Sequence, residues 1–215
     1  MSALHIFDMD GTLLRNSTAS IEISRRLGCL APLQELERRF AAAEISSLDV
    51  AMQVRMLWHE LTPDVVAAVA RQAPWIEGIE EVCADIAARG EHSMLITMSP
   101  DFFANHLRGL GVDVVRASTF PPLPFTADVD PELILTPADK VRLAELQRSA
   151  LELAHTACVA YGDSFTDVPL FAELQNTVAV NATEALEAAA AVAYRGDDLR
   201  EAYAHGRALL ERWSE

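Results

Sequence analysis

Leu4-His5-Ile6-Phe7-Asp8-Met9-Asp10-Gly11-Thr12-Leu13-Leu14 is the stretch whose reading decides the fold. A short, largely apolar run halts at a carboxylate, which suits a strand buried on both faces better than a helix. Two later runs behave alike: Met94 to Ile96 stops at Thr97, and Ala157 to Tyr161 stops at Gly162-Asp163. Helical patterns fall between and after them, at Ile79 to Arg89, Phe102 to Leu110, Ala138 to Leu153 and Val168 to Leu174. Strands alternating with helices predict an α/β fold, a parallel sheet covered by helices on both faces. Ligands of such sheets sit at the carboxyl ends of the strands, where all three polar clusters fall.

The alternation breaks between about Arg15 and Ala73. Thr18 to Leu27, Leu33 to Ala43, Leu48 to Leu61 and Pro63 to Gln72 all read as helical with no strand between them, so a helical insertion is expected. Gly28 follows Leu27 as a helix stop, and Pro63 stands where proline opens a helix. The expected division is a core of residues 1–14 and 76–215 with a helical cap over 15–75. Pro121-Pro122-Leu123-Pro124, running on to Pro131, is too rich in proline for a helix or an interior strand and reads as a surface loop.

Composition removes several classes of function. Seventeen basic against thirty-two acidic residues leave a net charge of -15, contrary to a nucleic-acid footprint or an anionic membrane surface. No apolar run approaches the ~20 residues that span a bilayer, and the opening residues do not read as a signal peptide. Cys29, Cys83 and Cys158 are three, far apart and without a Cys-x-x-Cys pair, so neither a disulfide framework nor a zinc site is expected. A cytoplasmic setting fits. Among the seventeen basic residues Lys140 is the single lysine.

The chemistry concentrates at the strand ends. Asp8 and Asp10, one residue apart on an extended chain, project toward one site. Two like charges that close call for a cation, and Mg2+ takes carboxylate oxygens together with water and phosphate oxygens. Gly11 permits a tight turn and Thr12 offers a hydroxyl. Asp163 offers a third metal ligand; Asp167, a helical turn on, either holds a metal-bound water or orients Lys140, and Asp163 or Ser164 also suits a helix cap. Lys140, at the start of a helix, carries an ammonium able to neutralise phosphate oxygens and the Asp8 carboxylate. Thr97 ends its apolar run and presents a hydroxyl and the following backbone N–H groups to a phosphoryl oxygen. Ser99 is its rival, although its place before Pro100 also suits a helix cap.

In order, Asp8-x-Asp10-Gly11-Thr12-Leu13, Thr97, Lys140 and Gly162-Asp163-Ser164-x-x-Asp167 resemble the four motifs of the haloacid dehalogenase superfamily. The 15–75 insertion resembles the small helical cap of its phosphoserine-phosphatase-like branch. The resemblance implies a Rossmann-like core and an Mg2+-dependent phosphomonoesterase acting on a small phosphorylated metabolite. It further implies Asp8 as a nucleophile that forms an aspartyl phosphate, and Asp10 as the acid that protonates the leaving alcohol and then activates water. Magnesium would be held by the side chains of Asp8 and Asp163 and the backbone carbonyl of Asp10, with Asp167 close by. Gly11, Thr12, Thr97, Met98 and Lys140 would surround the phosphate. Members that cleave carbon–halogen bonds lack an acid two residues after the nucleophile, so Asp10 favours phosphoryl transfer.

Specificity departs from that branch. An acidic residue expected after the first motif is replaced by Ser17, and a Gly-Gly pair after the second-motif hydroxyl by Met98-Ser99. Arg15, Asn16, Ser17, Arg55 and His59 are the candidate substrate-reading residues. A phosphomutase of the same fold and a non-hydrolysing phosphoacceptor or binding module are the alternatives.

Overall fold

Leu4–Phe7 forms β1, whose side chains alternate between two apolar layers: Leu4 and Ile6 face one, Phe7 the other. This strand sits inside a parallel sheet of order β5-β4-β1-β6-β7-β8. The others are β4 (His92–Pro100), β5 (Val114–Ser118), β6 (Cys158–Gly162), β7 (Asn176–Val180) and β8 (Val192–Tyr194). β1 pairs on one side with β4, Phe7 opposite Leu95, and on the other with β6, Phe7 opposite Tyr161. Strand order therefore reverses about β1, and a crevice opens beyond its carboxyl end. The computed structural model describes residues 2–213.

Helices cover both faces, as the alternation of strands and helices predicts. One apolar layer joins Leu4, Ile6, Met94 and Ala160 to α7 (Pro137–Ala150), α8 (Val168–Glu173) and α9 (Glu184–Ala189). The other joins Phe7, Leu95 and Val159 to α5 (Ile79–Ala88) and α10 (Leu199–Glu211). α6 (Asp101–Ala104) continues as a 3-10 turn over Asn105–Leu110, where a full helix over Phe102 to Leu110 is expected. β5, β7 and β8 were not anticipated; they are short and lie outside the centre of the sheet.

After β1 the chain forms β2 (Asp10–Gly11) and β3 (Leu14–Arg15), which pair with each other. It then enters four helices: α1 (Ala19–Leu27), α2 (Leu30–Ala41), α3 (Ser47–Leu57) and α4 (Pro63–Gln72). Thr18, Ser46 and Thr62 cap α1, α3 and α4 through their hydroxyls, and Gly28 closes α1 in a left-handed conformation at φ 73°. Entry to and exit from this helical unit are pinned together. The N–H of Arg15 donates to Pro74 O at 2.9 Å, and the N–H of Ile76 to Leu13 O at 2.9 Å. Trp58, fully buried, ties α3 to α1 by donating its indole N–H to Ser24 Oγ at 2.8 Å. Among the described residues no helix is long and apolar enough to cross a membrane.

Candidate active site

Between the carboxyl ends of β1, β4 and β6 and the helices α1 to α3 lies a cavity of about 460 Å³. Asp8 follows β1 directly, and its N–H donates to Tyr161 O at 2.9 Å, which sets the turn out of the sheet. Met9 turns into the core while Asp8 and Asp10 both line the cavity, as one-residue spacing on an extended chain requires. The Asp10 carboxylate accepts the N–H of Ala19 on Oδ1 at 2.7 Å and the Thr97 hydroxyl on Oδ2 at 3.0 Å.

Lys140 enters from the first turn of α7, a helix opened by the Thr136–Asp139 capping box and Pro137. It is 1% exposed, and its Nζ donates to Asp8 Oδ1 and Asp167 Oδ1, each at 2.6 Å. Burial works against this ammonium, but Asp167 and Asp8 reverse the effect and hold its pKa above the ordinary value. Asp167 also accepts the N–H groups of Asp163 and Ser164 on Oδ2, at 3.1 and 3.3 Å. Its carboxylate thereby fixes the turn after β6. Gly162 gives it room, since a Cβ there would lie 2.4 Å from Asp167 Cγ.

Ligand atoms of Asp8, Asp163 and Asp167 lie within 4.8 Å of one another, a concentration of carboxylate oxygens able to hold a divalent cation. Among the described residues Asp163 Oδ1 is buried without a hydrogen-bond partner, an acceptor left for an ion. Burial raises the pKa of Asp163 to about 7, with Asp167 adding repulsion. Burial also raises that of Asp8 well above its ordinary value, opposed by Lys140 and aided by Asp167, Asp163 and Asp10. Asp10 is raised by burial and restrained by the Ala19 N–H and the hydroxyls of Ser99 and Thr97. A bound cation would lower the cost of holding these charges together. Gly11, at φ 79°, lets the loop press on the cluster, because a Cβ there would stand 2.0 Å from Asp163 Oδ2.

The structure relocates several expected residues. Thr97 does not end β4. The strand runs on to Pro100 with a register shift after Ile96, so Thr97 is fully buried beneath Asp10 and Ser99 lines the cavity. Irregularities of this kind re-aim side chains near functional sites. Thr12 is also fully buried, with its hydroxyl unpaired among the described residues, and does not reach the cavity, whereas Gly11, Met98 and Lys140 line it. The Asp10 carboxylate lies outside the cation cluster, which leaves its backbone carbonyl as the expected ligand.

Among the substrate candidates Asn16 and Ser17 line the cavity. Arg15 instead pairs with Asp197 at 3.1 Å. Arg55 is turned to the proline-rich loop, donating to Ala127 O at 2.9 Å and pairing with Asp128 at 3.2 Å. His59 is exposed and also lies outside the lining. Glu37 is a lining residue that the sequence reading missed. Its signal was available: Leu33, Leu36, Glu37 and Phe40 form one helical stripe, and an acid within an apolar stripe is out of place.

The haloacid dehalogenase-like hydrolase family matches residues 6–172. No curated protein matches the chain. Among solved structures, a substrate-bound phosphoserine phosphatase complex superposes with a TM-score of 0.82 at 22% identity, covering 95% of this chain and 98% of that one. A phospho-aspartyl intermediate analogue of phosphoserine phosphatase gives 0.81 at 22% identity, over 95% and 98% of the two chains. A probable phosphoserine phosphatase from Vibrio cholerae, unliganded, gives 0.78 at 19% identity, covering 100% of this chain and 67% of that one. At such identities the likeness is one of fold, whereas the family match spans most of the chain: the protein belongs to the haloacid dehalogenase-like hydrolases.

Proposed function

We propose that the protein is a magnesium-dependent phosphomonoester hydrolase acting on a small phosphorylated metabolite, with residues 15–75 as a cap over the site. The observation that carries the reading is the Asp8–Lys140–Asp167 bridge beside the unpaired Asp163 Oδ1, with Asp8, Asp10, Lys140 and Asp163 lining one cavity and Asp167 buried behind them. Asp8 attacks phosphorus, a phosphorus–oxygen bond to Asp8 forms, and the ester bond to the alcohol breaks. Asp10, whose raised pKa favours keeping a proton, donates it to the departing alkoxide. Asp10 then takes a proton from water, which attacks phosphorus, releases inorganic phosphate and restores the Asp8 carboxylate. Splitting the displacement in this way is covalent catalysis by a carboxylate.

Lys140 neutralises Asp8 and the phosphoryl oxygens, while Ser99 and the backbone around Met98 and Gly11 offer donors to those oxygens. Thr97 positions Asp10 and does not touch phosphate. Magnesium, held by the side chains of Asp8 and Asp163 and the carbonyl of Asp10, would shield the anionic nucleophile from the phosphate dianion. Asp167 serves as a positioning residue for Lys140 and the turn after β6, since both of its oxygens are already engaged. The solved phospho-aspartyl analogue of a phosphoserine phosphatase, alike in fold, supports the same course here.

Phosphate release from a broad panel of phosphomonoesters with magnesium, for the parent chain and for Asp8→Asn, tests the proposal. Loss of a nucleophile of this kind is expected to lower kcat by roughly 10⁴-fold or more. Acid-quenched parent enzyme should carry a phosphoryl group on Asp8, seen by mass spectrometry. Undiminished turnover by a homogeneous Asp8→Asn preparation sinks the mechanism. Isomerisation of a sugar phosphate without net phosphate release selects the phosphomutase instead, and a persistent phospho-aspartate without turnover selects a phosphoacceptor.

A further inference from the structure

The side of the cavity away from Asp8 is built from the cap and the loops beside it. Ile21, Leu33, Phe40, Val50 and Val54 line it from α1, α2 and α3, and Phe120 closes it from the core. Among the described lining residues Lys140 is the one Lys or Arg, and its ammonium is committed to Asp8 and Asp167. Arginines flanking this wall in sequence have partners elsewhere: Arg15 with Asp197, Arg25 with Glu22, Arg38 with Glu35 and Glu44, Arg39 with Glu44 and Arg55 with Asp128. A carboxylate or second phosphate on the alcohol portion of a substrate therefore finds no counter-ion on the wall.

Glu37 is the acid that α2 places on this wall. Its Oε1 accepts the hydroxyl of Thr18 at 2.9 Å, and no cation lies within ion-pair distance of it among the described residues. Thr18 adjoins Ala19, whose N–H holds Asp10. Two hydrogen bonds through the start of α1 thus fix Glu37 relative to the acid that meets the leaving alcohol. A half-buried carboxylate without a protein cation is costly to keep charged, and burial, together with the nearby Asp10, raises its pKa. A cationic group on the ligand removes that cost.

We infer that the leaving group is an amino alcohol: an apolar, aliphatic or aromatic body carrying one cationic amine that pairs with Glu37, and no carboxylate. Glu37 is then the specificity-determining residue of the cap, and the apolar stripe of α2 around it receives the body of the alcohol. This rests on the phosphohydrolase reading above. It separates the protein's substrate from phosphoserine, whose carboxylate would find no free cation among the described lining residues.

Four esters resolve the features: phenylalaninol phosphate with both ring and amine, phenylpropanol phosphate with the ring alone, phosphoethanolamine with the amine alone, and phosphoserine with amine and carboxylate. The expected kcat/KM is highest for phenylalaninol phosphate and lowest for phosphoserine, with the amine worth about 10–100-fold between the two aromatic esters. Glu37→Gln keeps the shape and the acceptor for Thr18, and should reduce the ratio of aminated to non-aminated aromatic ester by about tenfold or more. A ratio unmoved by Glu37→Gln, or phosphoserine outranking phenylalaninol phosphate in the parent enzyme, overturns the inference and leaves the phosphohydrolase intact. Absence of phosphate release from all four esters and from p-nitrophenyl phosphate overturns the hydrolase reading itself, and the inference with it.

Discussion

Replacing Lys140 with methionine removes one buried charge while keeping side-chain length, and its consequence can be worked from the site. At 2.6 Å from both Asp8 and Asp167, and with an effective dielectric near 20, each contact carries about 6 kcal/mol of attraction. Much of that offsets the several kcal/mol of desolvation that each buried ion incurs, and breaking such a pair from one side leaves a net loss of about 3–5 kcal/mol. Against a total stability of about 5–15 kcal/mol the change is severe. For a chain of this size it corresponds to a Tm lower by about 6–20 °C.

The sign with pH follows from the same contacts. Lys140 is the influence that lowers the Asp8 pKa, while burial, the largest effect, and the neighbouring acids raise it above the ordinary carboxylate value. In Lys140→Met the folded state binds protons more tightly than the unfolded chain, so stability is lost as pH rises from about 4 through the raised folded pKa. Denaturant unfolding in EDTA should therefore show the full deficit near pH 8, a smaller one near pH 5, and partial recovery near pH 8 when magnesium is added. A metal-free deficit below about 1 kcal/mol near pH 8, or one that does not shrink on acidification, would refute the account of the bridge as a charge-compensated cluster.

Ser99→Ala should lower kcat/KM by about 10²-fold as one phosphoryl donor is lost, whereas Thr97→Val should shift the pH profile of kcat upward by removing a donor to Asp10; a larger loss from Thr97→Val reverses the assignment. Gly11→Ala, with its Cβ placed 2.0 Å from Asp163 Oδ2, should displace that acid, weaken magnesium binding in a metal titration and cost about 10²-fold in kcat. Between the central strands β1 and β6, His5 Nε2–H donates to Glu91 at 3.0 Å, and the Tyr161 hydroxyl donates to Nδ1 at 3.1 Å. Burial lowers the His5 pKa from 6.5, so the stability it contributes is present above about that pH and is lost as pH falls through the folded value. Urea midpoints measured across that range should fall on acidification, and less steeply in His5→Asn.

What the sequence determined by itself is the part governed by neighbours along the chain. Apolar runs halting at Asp8 and at Gly162-Asp163 placed two strand ends, because burial on both faces demands a run of that length and composition. Pro63, Gly28 and the Thr18 and Thr62 hydroxyls marked helix ends through local hydrogen-bonding needs. Lys140 stood out as a lone lysine, and the ion pairs of its ammonium show what holds it there. Only the tertiary structure decided which side chains face the cavity. Thr97 and Ser99 differ by one strand period, and the register shift in β4, set by pairing with β5, puts the first under Asp10 and the second against the open space. Arg55 belongs to α3, yet a distant loop at Ala127 and Asp128 draws it off the wall, and Glu37 comes to that wall through the packing of α2 above Asp8. Orientation across elements depends on long-range packing and on the competition of distant partners for one side chain, which local spacing does not encode.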